Sequence, residues 1–271
     1  MPQLSHVVDV AHRLWPLSGA ESWDAPGLLV GDPAAEVTSI HLAVDAVADT
    51  VDEALGAGAQ LLLVHHPLLM RGVTSVAEDR YKGAVVARLI RGGCGLLAAH
   101  TNADVVEDGT SAVLARHLGL QNTRPLVPSA PGSTRGLGTV GDLPKPVTLG
   151  ELANALKRFL PATASGVRGA GDYHQSISRV ALCAGAGDSL LSAPDVLGAD
   201  VYITSDLRHH PASESRENAR VSGGPALLDI SHWAAEWLWL DVAATQLREA
   251  LPGVTVSVSE LRTDPWDFAL V

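Results

Sequence analysis

Basic residues and aromatic residues are both scarce in this sequence of 271 residues. Lysine and arginine number 19 against 30 acidic residues, which gives a formal net charge of −11. This balance argues against a general affinity for nucleic-acid phosphates or anionic membranes, because such affinity needs clustered lysine and arginine. The N-terminus has no basic region followed by an apolar run, and no apolar run is long enough to span a bilayer. We therefore expect a cytoplasmic protein.

Cysteine is also rare, because only Cys94 and Cys183 occur, far apart and in apolar surroundings. They are predicted to be reduced core residues and not a disulfide. Aromatic residues make up 4% of the chain and hydrophobic residues 46%. Alanine, valine, leucine and glycine must therefore fill the core, which suits closely packed α/β layers. The length suggests about two domains.

Short apolar segments alternate with amphipathic segments along most of the chain. Strand, helix and strand in succession favour parallel pairing. We predict an α/β fold of two similar lobes with mainly parallel sheets, residues 1–125 and residues 126–271. Residues 121–147 are rich in Pro, Gly, Ser and Thr and are predicted to be a connection with one short extended segment. Residues 161–177 are predicted to be a loop.

Ionisable side chains concentrate where the predicted strands end. The segment LLLVHHPLL is interpreted as a buried strand that breaks into a loop at Pro67. The segment CGLLAAH is interpreted as a second strand that ends in a histidine, and this histidine begins the motif HTNAD. In the motif HWAAE, a histidine and a carboxylate lie on one helix face. Open α/β sheets bind ligands at this edge. The groups at predicted strand ends are His65, His66, His100, Asp104, Asp206, His209, His210 and His232.

Imidazole and carboxylate groups together suit two divalent ions such as Zn, Mn or Fe, whereas Ca prefers oxygen ligands alone. The alternatives are a hydrogen-bonded histidine pair at a strand end and a surface hydrogen bond between His232 and Glu236. Trp23 and Asp24 are candidates for a pocket wall or for loop packing. The glycines of CAGAGD resemble a phosphate cradle, although a tight strand-to-helix turn explains them better.

With these motifs in order, the sequence resembles the GTP cyclohydrolase 1 type 2 homologue family, the Nif-three-like dinuclear-metal proteins. The matching stretches are ESWDAPGLLVGDP, LAVDA, LLLVHHPLL, HTNADVVEDG, DVYITSDLRHH and SHWAAE. The resemblance implies a Nif-three-like fold with the metal site between the lobes, a toroidal homohexamer and two metal ions per subunit. The implied metal ligands are His65, His66, Asp104, His232 and Glu236. The N-terminal lobe would carry the HHP and HTNAD motifs, and the C-terminal lobe the HxxxE motif.

The leading functional hypothesis is a metal-dependent hydrolase that acts on an unidentified small molecule, cyclohydrolase-like or phosphoester-acting. His100 and His210 are the predicted proton carriers, with orientation of a ligand as the alternative role of each. The alternative function is a non-catalytic metal chaperone, store or metal-sensing scaffold, since the same ligands would serve it. Ala25-Pro26, Ser205 and Ser231 depart from the family pattern and leave the ligand set intact.

Overall fold

The computed structural model describes residues 1–270, which fold into two compact units. Unit 1 comprises Met1–Val106 and Leu240–Thr263, and unit 2 comprises Glu107–Trp239 with the C-terminal residues from Asp264 onward. The prediction placed one division at residues 125/126, whereas the first unit ends at Val106 and also includes the end of the last helix and the last strand.

The secondary structure alternates between strands and helices in both units. The strands are β1 (Gly27–Val30), β2 (Ser39–Ala43), β3 (Leu61–Val64), β4 (Gly95–Ala98), β5 (Gln121–Arg124), β6 (Val127–Pro128), β7 (Gly136–Leu137), β8 (Thr139–Thr148), β9 (Val167–Ala170), β10 (Ser176–Ala186), β11 (Val201–Ser205), β12 (Ala226–Ile230) and β13 (Thr255–Val258). The helices are α1 (Leu4–Leu14), α2 (Ala48–Gly56), α3 (Tyr81–Arg91), α4 (Thr101–Asp104), α5 (Thr110–His117), α6 (Leu149–Phe159), α7 (Pro194–Leu197), α8 (His209–Ser222) and α9 (His232–Ala250).

Unit 1 is built on a mainly parallel sheet of order β1-β4-β3-β2-β13. The strands β2, β3, β4 and β13 run parallel, and β1 pairs antiparallel with β4 at the edge. Every residue of β3 and β4 is buried, because helices and apolar side chains cover both faces of such strands. Val64 pairs with Ala43 on one side and with Ala98 on the other. The three central strands therefore end at the same edge, and the histidine motifs follow there.

Unit 2 contains a mixed sheet of order β5-β8-β10-β11-β12-β9. Its centre, β10-β11-β12, is parallel, whereas β8, β5 and β9 add antiparallel strands towards the edges. Helix α6 begins with a capping box in which Thr148 and Glu151 satisfy each other's backbone N–H groups. The predicted α/β fold class is confirmed, with more antiparallel pairing in this unit than the sequence indicated.

Two predicted connections contain regular structure. Residues 121–147 form β5, β6, β7 and most of β8, and residues 161–177 include β9. Helix α8 was not predicted, because none of its residues is buried and it carries no apolar stripe. Cys94 and Cys183 are free thiols in buried positions, as predicted. Within residues 1–270, no helix combines the length and apolar character that crossing a membrane requires.

Candidate functional site

Three histidines of unit 1 converge beyond the ends of β3 and β4. His65 and His66 follow β3 directly, and His100 lies between β4 and the short helix α4. One ring nitrogen of each lies within 4.8 Å of the others, and the ring centroids are 5.1–5.6 Å apart. His65 is fully buried, and His66 is partly exposed. We call these three residues the histidine cluster, and its geometry makes it a potential metal-binding group.

The orientation of each ring in the histidine cluster is set by a hydrogen bond to Nδ1. Metal-binding histidines characteristically use one nitrogen as the ligand while the other donates to a carbonyl or carboxylate oxygen. Engagement of Nδ1 fixes the tautomer in which Nε2 carries the lone pair of the neutral ring. The Nδ1 pairs are His65 with the Ala99 carbonyl at 2.9 Å, His66 with Asp45 Oδ1 at 2.7 Å and His100 with Asp24 Oδ1 at 2.8 Å.

Asp24 is the buried anchor of His100, and its side chain is 0% exposed. It accepts hydrogen bonds from the backbone N–H groups of Ala25 and Thr101 and from the Thr101 hydroxyl. Burial acts to raise the pKa of Asp24, but the hydrogen bonds from Thr101 and His100 lower it overall. Asp24 is therefore a carboxylate that holds the imidazole in place. The sequence suggested either a pocket wall or loop packing for Asp24, and its hydrogen bond to His100 is a more specific role than either.

His100 itself is held in its neutral form. Burial lowers its pKa, and the nearby His65 lowers it further, although Asp24 and Asp104 act in the opposite direction. The Trp23 ring meets the His100 ring edge-on at a centroid distance of 6.0 Å. Asp104, at the end of α4, brings Oδ1 to 3.7 Å from His65 Nε2. The predicted ligands of unit 1 are thus close together, and His100 joins them as a further nitrogen donor.

Unit 2 contains two of the predicted metal ligands at the start of α9. His232 and Glu236 lie one turn apart, with His232 Nε2 2.9 Å from Glu236 Oε1. Asp206, just beyond β11, places Oδ2 2.7 Å from His232 Nδ1, so this imidazole has the same arrangement as those of unit 1. Burial opposes protonation of His232, but the carboxylates of Glu236 and Asp206 raise its pKa well above the usual value. Asp206 adopts a positive φ of 58°, a conformation that Asp tolerates better than most residues.

Gly185 leaves room for this pair at the end of β10. A Cβ at this position would overlap Glu236 Oε1 and lie 3.3 Å from His232 Nε2. Its φ of +79° also favours glycine over residues with a side chain. The glycine-rich CAGAGD segment therefore accommodates the His–Glu pair, a role that the sequence pattern did not indicate.

The remaining predicted site residues lie on the surface of unit 2. His209 and His210 are exposed at the start of α8, and their rings are 5.2 Å apart. Among residues 1–270, the potential metal-binding groups include neither of them.

Comparison with known proteins identifies the family. The profile of Duf34/NIF3 (NGG1p interacting factor 3) matches residues 2–265. The chain belongs to the Duf34/NIF3 family. A Streptomyces coelicolor relative, named GTP cyclohydrolase 1 type 2 homolog, is 48% identical over 98% of this chain and 94% of its own length. The resemblance stated from the sequence motifs is thereby confirmed.

Solved structures share the Duf34/NIF3 fold. A hypothetical protein of Staphylococcus aureus superimposes with a TM-score of 0.89 at 28% identity, covering 98% of this chain and 99% of that one. A Bacillus cereus protein related to NIF3 gives a TM-score of 0.89 at 22% identity, with 99% of both chains covered. The second similarity concerns the fold alone.

Proposed function

We propose that this Duf34/NIF3 protein is a metal-dependent hydrolase that holds two divalent ions, Zn, Mn or Fe. The proposed ligands are His65, His66, Asp104, His232 and Glu236. The observation that carries the proposal is the shared orientation of the imidazoles. Each has Nδ1 engaged by a carbonyl or carboxylate oxygen, the arrangement typical of metal-binding histidines.

Some residues of the site would bind the metal, and others would orient the histidine ligands. Nε2 of His65, His66 and His232 would bind the metal, and Asp104 and Glu236 would neutralise its charge. Bound divalent ions supply Lewis acidity and activate water in hydrolytic sites of this kind. Asp45 and Asp206 would hold their histidines in the binding orientation.

His100 is the proposed proton carrier beside the metal ligands. Its lowered pKa keeps the ring neutral near pH 7, so it can accept a proton there. Asp24 fixes the ring and would stabilise the imidazolium that results. His210 stays a second predicted proton carrier, although its exposed position on α8 offers less support for that role.

The relatives' name suggests opening of the GTP imidazole ring as one specific form of the activity. The sequence contains no guanine-reading motif, so the proposal is the broader hydrolase.

The proposal also includes a homohexameric assembly, which the mass in solution would test. It also places the protein in the cytoplasm, where the two free cysteines would remain reduced. A metal chaperone or store would use the same ligands but would release its ions to a metal-free acceptor protein.

Asp45→Asn tests the hydrolase because it changes the orienting group of His66 and leaves all proposed ligands in place. Hydrolysis of nucleotides and phosphoesters is measured after loading with Zn or Mn. We expect activity in the wild type and a loss of about 10–100-fold in Asp45→Asn, the usual effect of removing such a partner. Asp49→Asn on the exposed surface of α2 is the matched control and should keep full activity. Retained metal with no turnover of any compound would contradict the hydrolase.

A further inference from the structure

Thr263 and Asp264 are the final point at which the chain passes from unit 1 to unit 2. Each of these neighbouring residues makes a side-chain hydrogen bond within its own unit. The Thr263 hydroxyl donates to Asp45 of unit 1, and Asp264 accepts a hydrogen bond from Ser231 of unit 2. Each of the two contacts leads, through one further residue, to a candidate metal ligand.

In unit 1, Thr263 holds the carboxylate that orients His66. The Thr263 hydroxyl donates to Asp45 Oδ2 at 2.5 Å, whereas Asp45 Oδ1 lies 2.7 Å from His66 Nδ1. The two oxygens of one carboxylate therefore serve two different partners. The Asp45 side chain is 24% exposed, so water competes for its oxygens. A second donor limits rotation of the carboxylate and keeps Oδ1 on the imidazole.

In unit 2, Asp264 holds the residue that caps the helix of His232 and Glu236. Ser231 precedes α9, and its hydroxyl oxygen accepts a hydrogen bond from the backbone N–H of Ala234 at 3.2 Å. A serine in this position stabilises the first turn of a helix. The same hydroxyl donates its proton to Asp264 Oδ2 at 2.5 Å, which fixes its orientation. His232 begins this turn, so Asp264 acts on its position through Ser231.

Asp264 is the buried anchor of an otherwise exposed segment. Asp264 and Ser231 are 8% and 5% exposed, and Asp264 Oδ1 also accepts a hydrogen bond from the backbone N–H of Trp266 at 3.1 Å. A buried carboxylate needs such donors. Beyond it, Trp266, Phe268 and Leu270 are 64%, 77% and 91% exposed. Apolar burial therefore contributes little to holding this segment, and the polar contacts of Asp264 hold it.

We propose that Thr263 and Asp264 are positioning residues for the candidate metal ligands of their own units. Thr263 acts on His66 through the carboxylate that orients the ring. Asp264 acts on His232 through the cap of α9. Neither residue binds metal or substrate itself, and the assignment rests on the proposed hydrolase function. Because one peptide bond joins the two residues, displacement of this short segment would loosen one candidate ligand in each unit.

Thr263→Val tests the first contact because valine has nearly the shape of threonine but no hydroxyl. Zinc affinity is measured by competition with a chromophoric chelator, and the absorption spectrum of cobalt-loaded protein reports the ligand geometry. We expect about 3–10-fold weaker zinc binding, less than on removal of a direct orienting partner, and an altered cobalt spectrum. Thr263→Ser keeps the hydroxyl and should restore both. Thr255→Val, exposed on β13 of the same unit, is the matched control and should bind zinc as wild type does.

Double substitution shows whether Thr263 acts through Asp45. In Asp45→Ala protein, Thr263→Val should cause no further loss of zinc affinity, because the carboxylate that it holds is absent. Losses that multiply in the double variant would overturn this role. So would a lower urea midpoint of unfolding in Thr263→Val with unchanged zinc affinity and cobalt spectrum, because it would show a structural contact only.

Asp264→Ala tests the second contact because it removes the acceptor of the Ser231 hydroxyl. We expect about 3–10-fold weaker zinc binding. Asp264→Asn keeps an acceptor oxygen without the charge and should lose about two- to threefold, and it carries the test if the alanine variant does not fold. In Ser231→Ala protein, neither substitution should cause a further loss. Asp267→Ala, exposed in the same segment, is the matched control. Wild-type affinity in the Asp264 variants would overturn the assignment.

The outcomes separate these positioning roles from the hydrolase itself. Weaker zinc binding in Thr263→Val and Asp264→Ala, in a protein that turns over no compound, would refute the hydrolase and leave the positioning roles intact. Turnover with wild-type zinc affinity in both variants would refute the positioning roles alone. Protein that binds no zinc in any form would overturn both.

Discussion

Substitution of Gly185 by alanine should disturb the His–Glu pair of unit 2 specifically. The new methyl group would overlap Glu236 Oε1, and Glu236 is only 3% exposed, so its side chain has little room to move. Overpacking of this kind costs about 1–3 kcal/mol. The positive φ of +79° adds about 1–2 kcal/mol for a residue with a Cβ. We therefore expect Gly185→Ala to lose about 2–5 kcal/mol of unfolding free energy.

Gly132→Ala separates the two contributions. Gly132 also lies in unit 2, has a φ of +77° and has no atom within 4 Å of an added Cβ. Its substitution should cost only the conformational part, about 1–2 kcal/mol. Urea unfolding followed by tryptophan fluorescence measures both variants, and zinc titration measures the effect on metal affinity. Equal losses of stability in the two variants, with unchanged zinc affinity in Gly185→Ala, would refute the steric reasoning.

Three further predictions concern the surroundings of the site. Asp24→Asn should lower the unfolding free energy by about 2–3 kcal/mol, because buried donors lose their carboxylate acceptor. Since the pKa of Asp24 in the folded protein lies below its usual value, the loss of unfolding free energy relative to wild type should be complete at neutral pH and should shrink below about pH 4 in urea titrations. A loss that grows in acid would contradict this. Cys94, whose pKa burial raises to about 11, should resist Ellman's reagent at pH 8 until urea unfolds the protein, and rapid labelling of the native state would contradict its burial. Thr148→Ala should cost about 1 kcal/mol in urea unfolding because it removes the cap of α6, whereas Thr245→Ala within α9 should cost less.

Unit 1 could be largely predicted from the sequence, and the physical reason is the composition of its strands. The segments LLLV and GLLA are short apolar runs with histidines soon after them, so the local sequence predicts both the strand and the position at which it ends. The helices between them have regular apolar spacing. Neighbouring parallel strands end at one edge, which is why the amino-acid sequence alone predicts that the residues of the histidine cluster lie close together.

Strand β8 and helix α8 of unit 2 lack a local sequence pattern that predicts them. Strand β8 contains Pro144 and Pro146, and its pairing with β10 is irregular between Asp142 and Val147, where both prolines lie. Prolines occur in sheets at such irregular positions, but in sequence they indicate a loop. Helix α8 is exposed throughout and lacks the apolar periodicity that predicts a helix.

The orientation of the candidate ligands also could not be predicted from the sequence. The carboxylates that hold His66, His100 and His232 are 21, 76 and 26 residues away from them along the chain. Asp24 and Asp206 are candidates from the sequence, but which imidazole each of them contacts depends on the tertiary structure, as does the contact of Asp45 with His66. The contact of Gly185 with Glu236 likewise depends on how β10 and α9 pack.

Metal content tests the central claim most directly. Elemental analysis of untagged protein, after loading with Zn or Mn and removal of excess metal, is compared among wild type, Glu236→Gln and Glu249→Gln. Glu249 is the exposed control on the same helix, α9. We predict about two ions per chain in wild type and in Glu249→Gln, and a clear reduction in Glu236→Gln with the assembly intact. Protein that retains no metal in any form, or equal metal in all three, would contradict the proposed dinuclear centre.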